Sequence, residues 1–395
     1  MELDNETKNK ALPENWHVVK IRDVMKRVRN SIEVKKDSVY REIGIKSHGK
    51  GIFYKDKVTG ESLGNKSVFW VEPDCFIVNI VFAWELAVAK TTSNEEGMIA
   101  SHRFPMYKPV KDKLDLDFIT YLFKTPYGKY LLNLASPGGA GRNKTLGQEE
   151  FLELEIKIPK SILEQKRIAS ILSTWDKAIS LKEDYIRLKK VQKKGLMQML
   201  LTGKLRKPGS YGEWEEAELG DISECLDNMR VPLNSNQRDF MKGSIPYYGA
   251  NGIVDYINQH IFEEELILLA EDGGYFDEFT ERPIAIRING KAWVNNHAHI
   301  LRIIKSDFDF VFFSLVHKDI RTYINGTTRG KLTKGDMLGI KIHLPKSISE
   351  QREISNILNS IFYEIYLHEQ QLELIKKQKK GLMQLLLTGK VRVEC

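Results

Sequence analysis

Lys193-Lys194-Gly195-Leu196-Met197-Gln198-Met199-Leu200-Leu201-Thr202-Gly203-Lys204 recurs, with one substitution, as Lys379-Lys380-Gly381-Leu382-Met383-Gln384-Leu385-Leu386-Leu387-Thr388-Gly389-Lys390. The offset of 186 positions also relates Pro159 to Pro345, Glu164 to Glu350, Gln165 to Gln351 and Arg206 to Arg392, so the copies match without a net gap. A weaker match opens each half: Trp16 ahead of Ile21-Arg22-Asp23, and Trp214 ahead of Leu219-Gly220-Asp221. Between these anchors the halves have little in common. A repeat of this kind sets the architecture before any local reading: variable region, constant segment, variable region, constant segment.

The constant segments read as long helices. Each opens on a capping-box pattern, Ser161-x-x-Glu164 and Ser347-x-x-Glu350, in which Ser accepts from the N3 amide and Glu reaches back. Each closes on Thr-Gly-Lys, with Gly203 and Gly389 suited to the left-handed position after a helix. A continuous helix between them has about 40 residues and spans roughly 60 Å. Apolar residues step by four and three through Ile354, Leu358, Ile361, Ile365, His368, Leu372 and Ile375, a coiled-coil seam. The first copy follows it through Ile168, Leu172, Trp175, Ile179, Lys182, Ile186 and Lys189, with Lys189 weakening the register. Lys182 and His368 hold the same seam position and would meet near the centre of an antiparallel pair; the simpler expectation is that Lys182 snorkels and His368 sits at the edge. Gly195 and Gly381 fall inside the helices at about 1 kcal/mol each relative to Ala, which suggests close approach or a bend. Leu196, Met197, Leu200 and Leu201, with Leu382, Met383, Leu386 and Leu387, are more apolar than one seam requires. They suit burial against the other helix, docking of a separate subunit, or both.

The composition is that of a globular chain: 395 residues, 42% hydrophobic, 29% charged, enough for two domains or more and not for wholesale disorder. A net charge of +7 permits a polyanionic partner without demanding one. Cys75, Cys225 and Cys395 are too scattered for a zinc site or disulfide framework, which fits a reducing compartment. No signal peptide and no bilayer-spanning stretch is evident. The expectation is a soluble cytoplasmic protein that uses no membrane.

Each variable region reads as a loop-rich α/β domain. Strands are expected at Ser67–Val71, Cys75–Phe82, Leu86–Ala89, Leu266–Leu269, Ile284–Ile288 and His299–Ile304, and helices at Asp117–Leu134 and Phe308–Ile324. Polar and basic groups crowd certain turns: Lys46, Ser47, His48, Lys50 and Tyr54 in the first region; Tyr247, Tyr248, Asn251, Asn295, Asn296 and His297 in the second. Arg, Lys, Asn and Gln make bidentate contacts to base edges, while Lys, Ser and amides position on phosphate. Each such turn alone is as well explained by solvation.

Enzyme motifs fail on inspection. Gly138-Gly139-Ala140-Gly141-Arg142-Asn143-Lys144-Thr145 has Asn143 where a P-loop needs Gly before Lys. Its counterpart Gly326-Thr327-Thr328-Arg329-Gly330-Lys331-Leu332 lacks the Ser/Thr for magnesium. A Gly-x-x-Arg-x-Lys loop with another role fits both, and Arg142, Asn143, Lys144, Arg329 and Lys331 suit contact with a DNA backbone. His297 and His299 invite a metal-nuclease reading, but alternate residues of a strand point to opposite faces. One buried and one exposed His is the preferred reading, with no metal and no catalytic residue assigned.

Glu164-Gln165-Lys166-Arg167-Ile168 and Glu350-Gln351-Arg352-Glu353-Ile354 opening the helices, the Leu-Leu-Thr-Gly-Lys ends, and Trp16-x4-Ile21 with Trp214-x4-Leu219 resemble the specificity subunits of type I restriction-modification systems. Tyr248-Gly249-Ala250-Asn251-Gly252 and Gly290-Lys291-x-Trp293-x-Asn295-Asn296 are similar to patterns in that family's recognition domains. The resemblance covers nearly the whole chain. It implies two α/β (α+β) target recognition domains, 1–160 and 205–346, separated by helical spacers, 161–204 and 347–395, that form an antiparallel coiled coil about a pseudo-twofold. It also implies that each domain reads half of a bipartite asymmetric site in double-stranded DNA, and that the helices set the gap and dock two methyltransferase subunits. Adenine-N6 methylation from S-adenosylmethionine, and restriction driven by ATP and magnesium in motor-nuclease subunits, would then belong to the partners. Two other readings compete: a stand-alone metal-dependent DNase using His297 and His299, and a coiled-coil protein scaffold without salt-dependent DNA affinity.

Overall fold

The first variable region contains β1 (Trp16–Lys20), α1 (Ile21–Val24), β2 (Met25–Val28), β3 (Asn30–Ser31), β4 (Val39–Ile45), β5 (Ile52–Thr59), α2 (Gly60–Leu63), β6 (Val68–Trp70), β7 (Phe76–Val78), β8 (Val88–Lys90), β9 (Ile99–Ser101), β10 (Met106–Pro109), α3 (Leu116–Phe123), α4 (Pro126–Leu134), α5 (Gln148–Glu153) and β11 (Glu155–Pro159). After α6 (Ile162–Leu201), the second contains β12 (Trp214–Glu218), α7 (Leu219–Ile222), β13 (Ser223–Cys225), α8 (Ser235–Phe240), β14 (Lys242–Gly249), β15 (Gly252–Ile257), β16 (Phe262–Glu263), β17 (Leu266–Ala270), β18 (Ala285–Ile288), β19 (Lys291–Val294), β20 (Ala298–Ile303), α9 (Phe308–Val316), β21 (Ile324–Asn325), β22 (Lys331–Leu332), α10 (Lys334–Leu338) and β23 (Lys341–Pro345), before α11 (Ile348–Leu386). This is a computed structural model describing residues 12–138, 144–206, 212–326 and 330–393. The chain divides into two units, Met1–Glu183 with Gln371–Cys395, and Asp184–Gln370. The units cut across both long helices, so each owns a variable region, the first half of one helix and the last half of the other.

The variable regions share a topology that their sequences conceal. One sheet runs β2-β10-β7-β8 in the first unit and β13-β20-β17-β18 in the second; another runs β6-β9-β4-β5 in the first, extended by β3, and β16-β19-β14-β15 in the second. Both regions start and finish on one ribbon in the same register, Trp16 opposite Pro159 and Trp214 opposite Pro345. The cores are built from unlike residues. Phe76, Tyr107, Phe118, Phe123 and Phe151 fill the first, with Phe76 and Phe151 stacked at 6.0 Å; Phe310, Leu315, Ile342 and Leu332 fill the second.

The residues common to both copies serve a clasp. In the second unit, Arg206 donates twice to Glu350 at 2.9 Å, Trp214 Nε1 donates to the same carboxylate at 3.4 Å, and Gly203, at φ +69°, lies against the Trp214 ring. In the first unit, Arg392, Glu164, Trp16 and Gly389 (φ +68°) repeat the arrangement, with guanidinium bonds of 2.8 and 2.9 Å. The neighbouring glutamine bridges within each unit: Gln165 donates to Pro159 O and accepts from the Asp115 amide, while Gln351 donates to Pro345 O and accepts from the Asp307 amide. The capping-box expectation is half corrected. Ser161 and Ser347 accept from the N3 amides at 3.4 Å, but the carboxylates of Glu164 and Glu350 go to Arg and Trp, because a charge buried this deeply needs a cationic partner.

Within each unit the helix segments run antiparallel. Lys182 donates to Gln371 at 2.7 Å, Lys376 meets Glu183 at 2.9 Å and Lys379 pairs with Asp176 in the first unit. In the second, Lys189 meets Glu364 at 2.8 Å and His368 packs edge-on to Tyr185. The expected seam residues Ile168, Leu172, Ile186, Ile354, Leu358, Ile365 and Leu372 are buried, and Lys189 is accommodated there by Glu364 rather than breaking the register. Gly195 and Gly381 do not mark a close approach among the described residues: a Cβ at either would meet none of them within 4 Å. Two expected elements also change. Asp117–Leu134 is two helices, because Thr125 caps a new one that starts at Pro126. The helix expected over Phe308–Ile324 stops at Val316. Among the described residues no helix is long and apolar enough to cross a membrane.

Candidate nucleic-acid interface

In each unit four segments meet where the central strand β7 or β17 ends. In the first, the Asn79–Leu86 segment leaves β7 and takes the β4–β5 hairpin tip on one side: the His48 and Gly49 amides donate to Glu85 O and Leu86 O. Ile80 donates its amide to Arg103 O and accepts from the Leu146 amide. In the second unit Glu271 occupies the place of Ile80, donating to His297 O and accepting from the Leu332 amide. The β14–β15 tip reaches the same segment through Asn251 Nδ2, 2.8 Å from Gly273 O. Two unrelated sequences thus assemble one rim from a hairpin tip, the loop after the central strand, the turn before β10 or β20, and the segment entering α5 or α10.

Most of the expected contact residues fall on this rim. Lys46, His48, Lys50 and Tyr54 are exposed and Ser47 half-buried. The tip is shaped by backbone that favours left-handed conformers, φ +62° at His48, +65° at Gly49 and +85° at Gly51. Ser47 Oγ donates to Glu85 at 2.9 Å and Tyr54 to Glu95 at 2.5 Å, an interaction that holds the Tyr54 phenol above its ordinary pKa. In the second unit Asn251 and Asn296 are exposed, Tyr248, Asn295 and His297 half-buried, and Lys331 exposed beside Glu271 at 3.3 Å. His297 Nδ1 lies 3.1 Å from both oxygens of Asp272.

Tyr247 is a correction. It is 1% exposed, its hydroxyl accepts from the Leu233 amide at 3.0 Å, and its ring packs with Ile257 and Trp293. Alternation along β14 turns it into this cluster, while Tyr248 packs half-buried against a different one with Leu268 and Ile300. Arg142, Asn143 and Arg329 lie outside the described residues. Lys144 is half-buried beside Leu146. Because Leu146 and Leu332 occupy equivalent places, Lys144 and Lys331 stand one position out of step, so the two loops are not superposable residue for residue. His102 and Arg103, both exposed, were missed: Arg103 takes the place of His297, a correspondence that only the paired strands reveal.

His297 and His299 belong to different surroundings, the first in the turn before β20 and the second on the strand. His299 is buried, with Nδ1 2.6 Å from Asp227 and Nε2 2.9 Å from Leu332 O. The acidic partners absent from the neighbouring sequence therefore come from far away in it. Asp227, Glu271 and His299 offer ligand atoms within 4.8 Å of one another, yet the Arg230 guanidinium already stands there, 2.6 Å from Glu271 and 3.4 Å from Asp227. Burial works against the ionised forms of Asp227 and Glu271. Hydrogen bonds from His299 and the Ile300 amide to the first, and from Arg230 and Lys331 to the second, outweigh it and hold both carboxyls below their ordinary range.

The apolar residues expected to bury internally, to dock a subunit, or both, are buried or partly buried within the units. Leu386 and Leu387, with Leu382 and Met383 beside them, belong to the core of the first unit, and Met197 and Leu200, with Leu196 and Leu201, to that of the second. A different apolar set is exposed, once per unit: Leu188 and Met199 flank Gly195 in the second, Leu374 and Leu385 flank Gly381 in the first. The spacing of seven and four residues puts each trio on one helix face.

A family model described as the type I restriction modification DNA specificity domain matches residues 13–190 and 211–377. A putative type I restriction enzyme MjaX specificity subunit from Methanocaldococcus jannaschii is 26% identical over 97% of this chain and 95% of its own length. A putative specificity subunit from Haemophilus influenzae is 36% identical over 39% of this chain and 38% of its own. The fold is shared with the S subunit of a type I restriction-modification system from M. genitalium, at TM-score 0.60 and 16% identity over 95% of this chain and 99% of that one. It is also shared with the HsdS subunit of Thermoanaerobacter tengcongensis, at TM-score 0.53 and 16% identity over 97% and 99%. With two copies of the specificity domain, on a duplicated frame that recurs in solved S subunits, the chain belongs to the type I restriction-modification DNA specificity family.

Proposed function

We propose that each unit reads one half of a bipartite DNA site through its rim, and that the long helices fix the gap between half-sites. The observation that carries this reading is the duplication: one rim architecture, built twice, presenting Lys46, His48, Lys50 and Arg103 in one copy and Asn251, Asn295, Asn296, His297 and Lys331 in the other. Unlike side chains at equivalent places are what two different half-sites require, since bidentate amides favour adenine and basic groups guanine or phosphate. Two half-sites on one duplex face must lie about one turn, 34 Å, or its multiples apart, and paired helices hold such a spacing better than a loop.

The partners in this reading are two methyltransferase subunits that bind S-adenosylmethionine and methylate adenine N6, and motor-nuclease subunits that use ATP and magnesium; the chain supplies recognition, not chemistry. The docking surface is the exposed set present once in each unit, Leu188-Gly195-Met199 and Leu374-Gly381-Leu385. A repeated exposed patch calls for two copies of one partner, and the bare glycine lets partner backbone approach closely. Adenine-methylation mapping in cells that express the chain with its methyltransferase tests the reading. One bipartite motif with a fixed gap is expected; a folded, associated pair that leaves no motif would refute it.

A further inference from the structure

The rims differ most in what lies beneath them. Under the first, Ile80 and Pro105 occupy the places of Glu271 and His299, and neither carries a charge. Under the second is a buried charged network. Arg230, its side chain only 16% exposed, donates to Glu271 at 2.6 Å, to Ala298 O at 3.1 Å and to Asn296 O at 3.4 Å from Nη1, and to Asp227 O from Nε at 3.1 Å. His299 donates from Nε2 to Leu332 O and faces Asp227 through Nδ1. Asp227 in turn takes the Ile300 amide at 3.0 Å.

Replacing such a network with apolar residues is often neutral or stabilising, and among the described residues the first unit places none at the equivalent positions Ile80 and Pro105, so stability is a poor reason for it. Apart from the Arg230 Nε bond to Asp227 O, its backbone acceptors are three carbonyls of the rim. Those of Asn296 and Ala298 bracket His297, and that of Leu332 adjoins Lys331. We propose that Arg230 and His299 are specificity-positioning residues of the second unit, clamping the backbone on either side of His297 and next to Lys331 so that His297 and Asn296 meet the bases, and Lys331 the phosphates, in one register. The assignment rests on the rim as the DNA-reading surface. A cation is not needed to complete the cluster, because the Arg230 guanidinium occupies the space among its carboxylates.

Methylation mapping resolved by half-site tests it, in cells expressing the full chain with its methyltransferase. Arg230→Lys keeps the charge but loses the planar fork, and His299→Gln keeps a donor on a different geometry. In both, methylation at sites with one wrong base in a single half-site should rise at least tenfold, with the other half-site and the gap unchanged. Tyr247→Phe, which removes a buried hydrogen bond in the same unit without touching the clamp, should leave the motif intact. An unchanged motif in both clamp variants, equal relaxation of both half-sites, or the same relaxation in Tyr247→Phe would overturn the assignment. If the unaltered chain gives no bipartite motif, the rim reading itself fails and the clamp with it, an outcome distinct from the others. Arg230→Met is the severe variant; should it not fold, the two milder ones decide.

Discussion

Arg392→Ala tests the clasp that joins the end of the chain to the first unit. Glu164 has a side chain 3% exposed, and Arg392 is its cationic partner, itself 35% exposed. Breaking a buried pair by removing one member costs about 3–5 kcal/mol, because the remaining charge is left uncompensated. With one partner partly in water, roughly half of that is expected, about 2 kcal/mol. Amides of residues 371–386 should then exchange about 30-fold faster under native conditions, since 1.4 kcal/mol is about tenfold. The matching Arg206–Glu350 clasp lies in the other unit and provides an internal control. Adding Glu164→Gln removes the stranded charge, so the double variant should exchange more slowly than Arg392→Ala alone. The reasoning is refuted if Arg392→Ala changes exchange less than threefold, or if the two substitutions are additive in a double-mutant cycle.

Gly195→Ala and Gly381→Ala should each stabilise the isolated chain by about 0.5–1 kcal/mol, since the new methyl meets nothing and the unfolded chain loses freedom; association with the methyltransferase, read by calorimetry, should weaken, and unchanged affinity would remove glycine from the docking surface. Asp227 and Glu271 have folded pKa values below their ordinary 3.8 and 4.5. Their contribution to stability is therefore complete above about pH 5 and lost as pH falls through the folded values; acid unfolding of Asp227→Asn should show a shallower dependence on pH below 4.5. DNA affinity should fall steeply with salt, and Lys331→Ala should lower the slope of log K against log salt by about 0.9; a slope unchanged by that substitution would place Lys331 off the phosphates.

The frame was legible because its parts are local or repeated. Helices of 40 and 39 residues, their seam and their ends follow from spacing and caps, and the 186-residue offset pairs Glu164 with Glu350 and Arg206 with Arg392. What these residues do was not legible, since Glu164 finds Arg392 across 228 positions. The rim suffered more. Turn composition located Lys46–Lys50 and Asn295–His297 but could not separate fully buried Tyr247 from half-buried Tyr248, which needs the strand register. Nor could it find Arg103, whose significance comes from sharing a place with His297, or Arg230, which acts from beneath.

The clasp and the rim divide the chain by physical demand. Trp16, Glu164, Gln165, Gly389 and Arg392 meet the same geometry as Trp214, Glu350, Gln351, Gly203 and Arg206, so a change in either set breaks the same contacts and both copies keep the same residues. The rims answer to no common partner within the chain: backbone bonds position Ile80 and Glu271 alike, and backbone bonds do not read side chains. Side chains there are thus free to differ while the scaffold beneath stays superposable in topology. The second rim shows the limit of that freedom, because a charged Glu271 in place of Ile80 calls for Arg230, and Arg230 then holds Asn296 and Ala298. Exchanging Lys331 alone would take one cation from Glu271, and new side chains at 296 and 297 on a backbone that Arg230 and His299 did not hold would lose their register, so specificity in the second unit should transfer fully only when Asp227, Arg230, Glu271 and His299 move together with Asn296, His297 and Lys331.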